Sequence, residues 1–228
     1  MPMNTLRALQ VPAPEGDFFA GLRGRDDPAH ARWARHDHFF CVSQARLLAL
    51  VVRALDMRDH DSLVEVTQAL FEEYGSGERE AVHSRLFARF CAALGVDTAQ
   101  LPLSPREVQP GVLDYLQAIE AGYRSAEPGV MLATYCFLER SAVLSYPLML
   151  ARLQALGFTP EELIFFSTHV VQEAGHEQGA LRMAARLVRS AQEVQGFQHQ
   201  IARMQPAWTR FWAHFGAKPL PNPRPISF

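Results

Sequence analysis

The sequence predicts an all-helical, compact bundle of about seven helices, and three features predict it. Apolar residues recur at helical spacing, and prolines, glycines and small polar caps punctuate the chain at helix-length intervals. Strand signals are nearly absent, since Val51-Val52 and Val170-Val171 sit inside stretches with helical spacing.

The elements follow in order. Asp27-Pro28 pairs an N-cap with proline at the first helical position and opens a helix to about Leu55. Asp61 or Ser62 caps a second, which ends at Gly75. Ser76 opens a third, through His83 to Ala93, stopped by Gly95. Ser104-Pro105 begins a fourth, to about Ser125. A fifth runs from about Pro128 to Leu156 and bends near Pro147. Thr159-Pro160-Glu161-Glu162 combines cap, proline and two first-turn acids. The sixth helix it starts continues, with a kink at Gly175 or Gly179, as far as Gln205. A last helix follows Pro206, and residues 219–228 form an irregular tail.

A chain of 228 residues suits a single domain, 1–228, and no repeat or composition shift divides it. The net charge of −2 argues against bulk attraction to nucleic acid or to an anionic membrane. No apolar run is long enough to span a bilayer, and residues 1–16 lack a secretory signal pattern. Cys41, Cys91 and Cys136 are odd in number and lie in apolar helical contexts. They read as reduced core residues, which points to the cytoplasm.

Chemistry concentrates in three places. His169, Glu173 and His176 are four and then three residues apart, so they share one helical face, flanked by Phe165, Phe166, Val170 and Val171. Two imidazoles and a carboxylate on one stripe suit a divalent metal such as iron, manganese or zinc, although a surface His/Glu network has the same spacing. Glu139 lies in a helix that is apolar nearly all round. A buried carboxylate there requires a cation, either Arg140 or a metal; Arg140 points about 100° away on the helix. Glu73 and His83 flank the turn Tyr74-Gly75-Ser76-Gly77, so two consecutive helices can aim them at one interior point, with Leu86, Phe87 and Phe90 marking the inward face.

Two bundle types use such groups. A ferritin-like diiron protein would take Glu80-x-x-His83 and Glu173-x-x-His176 with Glu139. It lacks its fourth carboxylate, because Phe39 to Arg53 contains no acid, and it leaves His169 unused.

The joint pattern over about residues 60–190 resembles the heme-oxygenase-like diiron oxidase and oxygenase superfamily (iron-containing redox enzymes). The resemblance rests on the Glu-Glu-Tyr-Gly-x-Gly turn leading into His-x-x-Leu-Phe, the lone Glu in a central apolar helix, and the His-x3-acid-x2-His helix. It implies a heme-oxygenase-like bundle and an O2-activating site with two irons per chain, Fe(II) cycling with Fe(III). Glu73, His83, Glu139, His169, Glu173 and His176 would be the ligands. It further implies an external electron donor and a role in small-molecule biosynthesis. The substrate expected is a small amine or amino-acid-derived metabolite, undergoing N-oxygenation or oxidative C–C cleavage.

Two departures from the family pattern stand out. The acid of the last ligand helix is commonly Asp, whereas here it is Glu173; and Phe39 to Arg53 of the first long helix offers none of the further acid that some members use. A labile second iron is the expectation, with Glu80 and Glu177 as reserve ligands.

Helical phase suggests Tyr135, Val143, Phe166 and Thr168 as substrate contacts. Arg46 is a candidate for a substrate carboxylate, although a snorkelling arginine is the simpler reading. His30, His36 and His38 read as a solvated amphipathic face beside Arg32, Arg35 and Asp37. Other readings are a metal-independent enzyme of the same wider fold (thiaminase-like or quinone-forming) and a non-enzymatic binding protein. Bundles of this size often dimerise, so a homodimer is one expected assembly.

Overall fold

The computed structural model describes residues 14–216, and the expected tail at 219–228 lies outside them. Eight α-helices and no strand are present among the described residues. They are α1 (Pro14–Gly21), α2 (Pro28–Ala54), α3 (His60–Glu73), α4 (His83–Ala93), α5 (Pro110–Tyr123), α6 (Pro128–Ala155), α7 (Ile164–Leu187) and α8 (Ala191–Ala213).

Helix α6 is the central element and packs against α1, α5, α7 and α8, while α2 packs against α3, α4 and α5. Its residues 131–137 are all buried, as an all-round apolar surface requires. An aromatic cluster fills one end of the bundle. Trp33 of α2 meets Phe18 and Phe19 of α1, Phe87 and Phe90 of α4, and Trp212 of α8, with ring centroids 5.1–6.1 Å apart. No helix among the described residues is long and apolar enough to cross a membrane.

Several boundaries differ from expectation, each for a local reason. The short α1 was not expected; its Phe18 and Phe19 are held by the tertiary cluster rather than by an extended helical pattern. Asp27 caps α2 by accepting from the Ala29 N–H, as predicted. For α3 the cap is Asp59, not Asp61 or Ser62; its carboxylate accepts from the Ser62 N–H at 3.1 Å.

Ser76 opens no helix. Gly75, Ser76 and Gly77 all have positive φ (77°, 53° and 92°), and two 3-10 turns, Gly75–Gly77 and Arg79–Ala81, lead into α4. Ser104-Pro105 forms only a turn, with Glu107 accepting from the Ser104 N–H and hydroxyl; α5 starts later, with Pro110 in its first turn. The Thr159–Glu162 cap forms, but the regular helix begins at Ile164.

Helix α7 runs through Gly175 and Gly179 without interruption and stops at Leu187. Ser190 and Glu193 form a reciprocal capping box that starts a new helix, so Pro206 lies inside α8 rather than before it. Pro147 likewise sits within a continuous α6.

The histidine-rich start of α2 is not a solvated face. His30 and His38 are buried, and His30 packs edge-on against Phe158. Each charged neighbour there turns outward or inward individually, which residue type alone does not reveal.

Candidate metal centre

Four helices converge on the bundle interior. Helix α3 brings Glu73, α4 brings His83, α6 brings Glu139, and α7 brings His169, Glu173 and His176. The local reason for the first pair is the Gly-Ser-Gly turn. A Cβ on Gly75 would lie 2.6 Å from the Val82 backbone nitrogen, so only glycine permits the chain to double back so closely. That reversal sets His83 Nδ1 3.3 Å from Glu73 Oε1.

The six side chains form two groups, Glu73/His83/His169 and Glu139/Glu173/His176, with the candidate ligand atoms within each lying within 4.8 Å of one another. Glu173 links them. Its Oε1 is 3.9 Å from His169 Nε2 and its Oε2 is 3.6 Å from His176 Nδ1. The rings of His83 and His169 are 4.4 Å apart.

The electrostatics fit a cation at both groups. Burial pushes the Glu139 carboxyl well above the usual carboxylate range, with the neighbouring Glu173 adding to the effect. Burial pushes Glu173 up to about 8. Among the described residues no Arg or Lys relieves the pair, and Arg140 is engaged at 2.9 Å by Glu177. Glu139 therefore lacks the organic counterion that its sequence neighbour offered. Glu73 is also buried, but the adjacent His83 outweighs that and holds its carboxyl low.

The imidazoles are set up as neutral donors. His169 Nδ1–H donates to the Phe165 carbonyl at 2.8 Å, which leaves Nε2 with its lone pair facing the centre. Burial, reinforced by His83, pushes His169 down to about 3, so it is neutral across the ordinary pH range. His83 Nδ1 is buried, and its contact with Glu73 Oε1 at 3.3 Å does not meet hydrogen-bond geometry. His176 Nε2–H donates to Glu72 Oε2 at 2.8 Å, directing Nδ1 toward Glu139 and Glu173. Unrelieved carboxylates, an orphaned imidazole nitrogen and two oriented rings make a donor set suited to iron or a similar divalent ion.

Around the centre lies a partly open cavity of about 100 Å³, lined by Phe166 and by all six of these side chains. The other anticipated substrate contacts are elsewhere. Arg46 is exposed and faces away from the cavity. Tyr135 is buried in the core a turn before Glu139, and Val143 is rotated about 100° from the cavity-lining Ala142. Thr168 faces a separate outer pocket on the far side of His83, together with Glu72 and Gln172. Of the reserve ligands, Glu80 pairs with Arg85 and Arg89 at the surface, and Glu177 is taken by Arg140.

Sequence reasoning missed Asp37, Cys41, Gln44 and Tyr146 on the cavity wall, and Glu72 behind His176. The stripe Asp37, Cys41, Gln44, Leu48 has helical spacing and was the available signal. Cys41 is thus a cavity residue rather than the small core residue expected.

These features define a class: an all-helical bundle with a buried carboxylate–histidine centre at the meeting of four helices. The chain belongs to the iron-containing redox enzyme family, which it matches over residues 31–209. Similar solved structures share the heme oxygenase-like fold. One is a CADD-like protein of unknown function from Nostoc punctiforme (20% identity, TM-score 0.70, covering 96% of each chain). Another is a domain of unknown function from Shewanella denitrificans described as having that fold (15% identity, TM-score 0.71, covering 93% of this chain and 86% of that one). A TenA homolog from Pseudomonas syringae pv. tomato is similar as well (14% identity, TM-score 0.68, 94% and 88% covered). No curated protein matches the sequence.

Proposed function

We propose that this protein is an O2-dependent non-haem diiron oxidase or oxygenase acting on a small amine or amino-acid-derived metabolite. The observation that carries the reading is the linkage of two three-residue donor groups through the Glu173 carboxylate. Glu73, His83 and His169 would hold one iron, and Glu139, Glu173 and His176 the other. Bound there, two Fe(II) ions supply reduction of O2, with an external electron donor restoring them for a further turnover.

The protein's own residues do the rest. The carboxylates offset the positive charge of the metals, and the Phe165 carbonyl and Glu72 fix the tautomers of His169 and His176. The rings of Phe165 and Tyr146 lie 4.2 and 4.3 Å from that of His169, tilted by 49° and 33°, and shield it from water. The second iron is held less tightly, because the extra methylene of Glu173 displaces its carboxylate. With three cysteines unpaired, the protein acts in the cytoplasm.

The metal-independent alternative gains some support from Cys41 on the cavity wall. Burial pushes its thiol well above the ordinary value, which removes the thiolate that a nucleophile needs. A ferritin-like ligand set would need Glu80, whose side chain is 75% exposed.

Anaerobic Fe(II) titration of the wild type, His169→Ala and Glu80→Ala tests the assignment. Two equivalents should bind to the wild type and to Glu80→Ala, and His169→Ala should lose one. O2 uptake should follow the loaded centre. Equal binding by all three proteins would remove the diiron reading.

A further inference from the structure

The cavity wall carries a charge that the metal centre does not use. Asp37 lines the cavity from α2, on the same helical stripe as Phe40, Cys41, Gln44 and Leu48. It belongs to neither donor group and makes no hydrogen bond or ion pair with any described residue. The nearest cations in sequence turn away: Arg32 is exposed, and Arg35 reaches out to Gln100 at 3.4 Å. Burial alone pushes the Asp37 carboxyl up to about 7.

A carboxylate inside a protein with no partner costs several kcal/mol, and a ligand entering the cavity can supply the counterpart that no described residue does. The surrounding walls specify what kind. Phe40, Tyr146, Phe166, Trp208 and Trp212 face the same space, and aromatic faces attract organic cations. The second polar group on the stripe is Gln44, whose Nε2 is buried without a partner. It supplies a donor about two helical turns from Asp37.

We propose that Asp37 anchors an organic cation, a primary ammonium or amidinium on a small and otherwise apolar ligand, with the carbon skeleton lying among the aromatic rings beside the metal centre. Naming this ligand the substrate rests on the proposed function; the binding itself does not. A charged nitrogen held at α2 leaves the chain extending toward Glu139 and Glu173, which line the same cavity. Gln44 donates to an acceptor on the ligand.

The test uses the full chain without iron, at pH 8, with n-pentylammonium and the neutral 1-pentanol as probes in isothermal titration. The ammonium should bind at least about tenfold more tightly than the alcohol. Asp37→Asn should abolish that preference, whereas Glu139→Gln should keep it. Equal binding of both probes by the wild type overturns the proposal and leaves Asp37 a wall residue with no part in ligand binding. Loss of the preference in Glu139→Gln but not in Asp37→Asn also overturns it, assigning the cation to the acids of the centre.

Should Asp37→Asn fail to fold, Asp37→Glu takes its place. Retaining the charge on a longer side chain, it should move the optimum from n-pentylammonium to n-butylammonium, and an unchanged optimum overturns the proposal. Iron stoichiometry is measured separately, so failure of the diiron reading and failure of this one give different results.

Discussion

Glu72 accepts a hydrogen bond from His176 Nε2–H at 2.8 Å, and that contact aims the opposite ring nitrogen at Glu139 and Glu173. A carboxylate behind a metal-binding imidazole fixes its tautomer and raises its basicity. Glu72→Gln keeps the size of the side chain but lets its amide end donate, which frees the imidazole to rotate. Fe(II) affinity at the Glu139/Glu173/His176 group should fall about 10- to 100-fold, with the other group unaffected. Anaerobic titration resolving two binding steps measures this, and an unchanged weaker step would remove Glu72 from the centre.

The unrelieved carboxylates make the stability of the metal-free protein depend on pH. Glu173 moves from an ordinary value of 4.5 to about 8 in the fold, so its contribution is complete below 4.5 and is lost as the pH rises toward 8. His169, lowered from 6.5 to about 3, acts in the opposite direction, but only below 6.5. Between pH 6.5 and 8 no histidine effect opposes that of Glu173; Glu139 shifts in the same direction, and Glu15 and Asp37, each raised to about 7, add to the first part of the interval. Thermal unfolding in chelator should therefore lose about 2 kcal/mol over that interval, roughly 5 °C in Tm. Two equivalents of Fe(II) under anaerobic conditions should remove the share due to Glu173 and Glu139, because the ions favour the ionised carboxylates, and leave the part due to Glu15 and Asp37. A decline undiminished by bound metal would place its origin elsewhere.

The long helices and the ligand spacing were legible in the sequence because both depend on periodicity. The all-round apolar surface of α6 marked it as central, and His169, Glu173 and His176 shared a face by spacing alone. Features that depend on contacts between distant segments were not legible. Helix α1 spans eight residues and is fixed by Trp33 and Trp212. Asp37 looked solvated because Arg32, Arg35 and His36 surround it in sequence, yet the helix turns it toward the cavity. Glu72 was overshadowed by Glu73, and only the approach of α7 to α3 reveals its partner. The break between α7 and α8 was readable from Ser190 and Glu193, but Pro206 gave a stronger and misleading signal.

Glu15 offers a pH effect independent of metal. One carboxyl oxygen meets the Ser145 hydroxyl at 2.6 Å, while the other is buried without a partner, and burial pushes its pKa up to about 7. The sign again follows from a raised acid: stability is complete below 4.5 and is lost as the pH passes through 7. Glu15→Gln removes the ionisation and can still contact Ser145. It should leave stability unchanged near pH 4.5 and raise it at pH 8 by as much as about 3 kcal/mol. Urea unfolding of both proteins at the two pH values checks this, and equal stability at pH 8 would show that Glu15 ionises freely.

Gly75 links backbone geometry to metal binding. Its φ of 77° lies in the left-handed region, and an added Cβ would sit 2.6 Å from Val82 N and 2.7 Å from the Ala81 carbonyl carbon. These are backbone atoms, so no side-chain rotation can relieve the clash, and the turn between α3 and α4 must open. Gly75→Ala should cost about 1–3 kcal/mol of stability from strain. Opening the turn also separates Glu73 from His83, so the Glu73/His83/His169 group should lose Fe(II) affinity while the group around His176 keeps it. Gly77, whose Cβ would meet only the tip of Phe71 at 3.9 Å, provides the control. Gly77→Ala shares the positive φ but not the clash, so it should reduce stability with little effect on metal binding. If both variants lost the same iron equivalent, strain in the turn would suffice to explain the result, and the close approach at Gly75 would have no special role in assembling the centre.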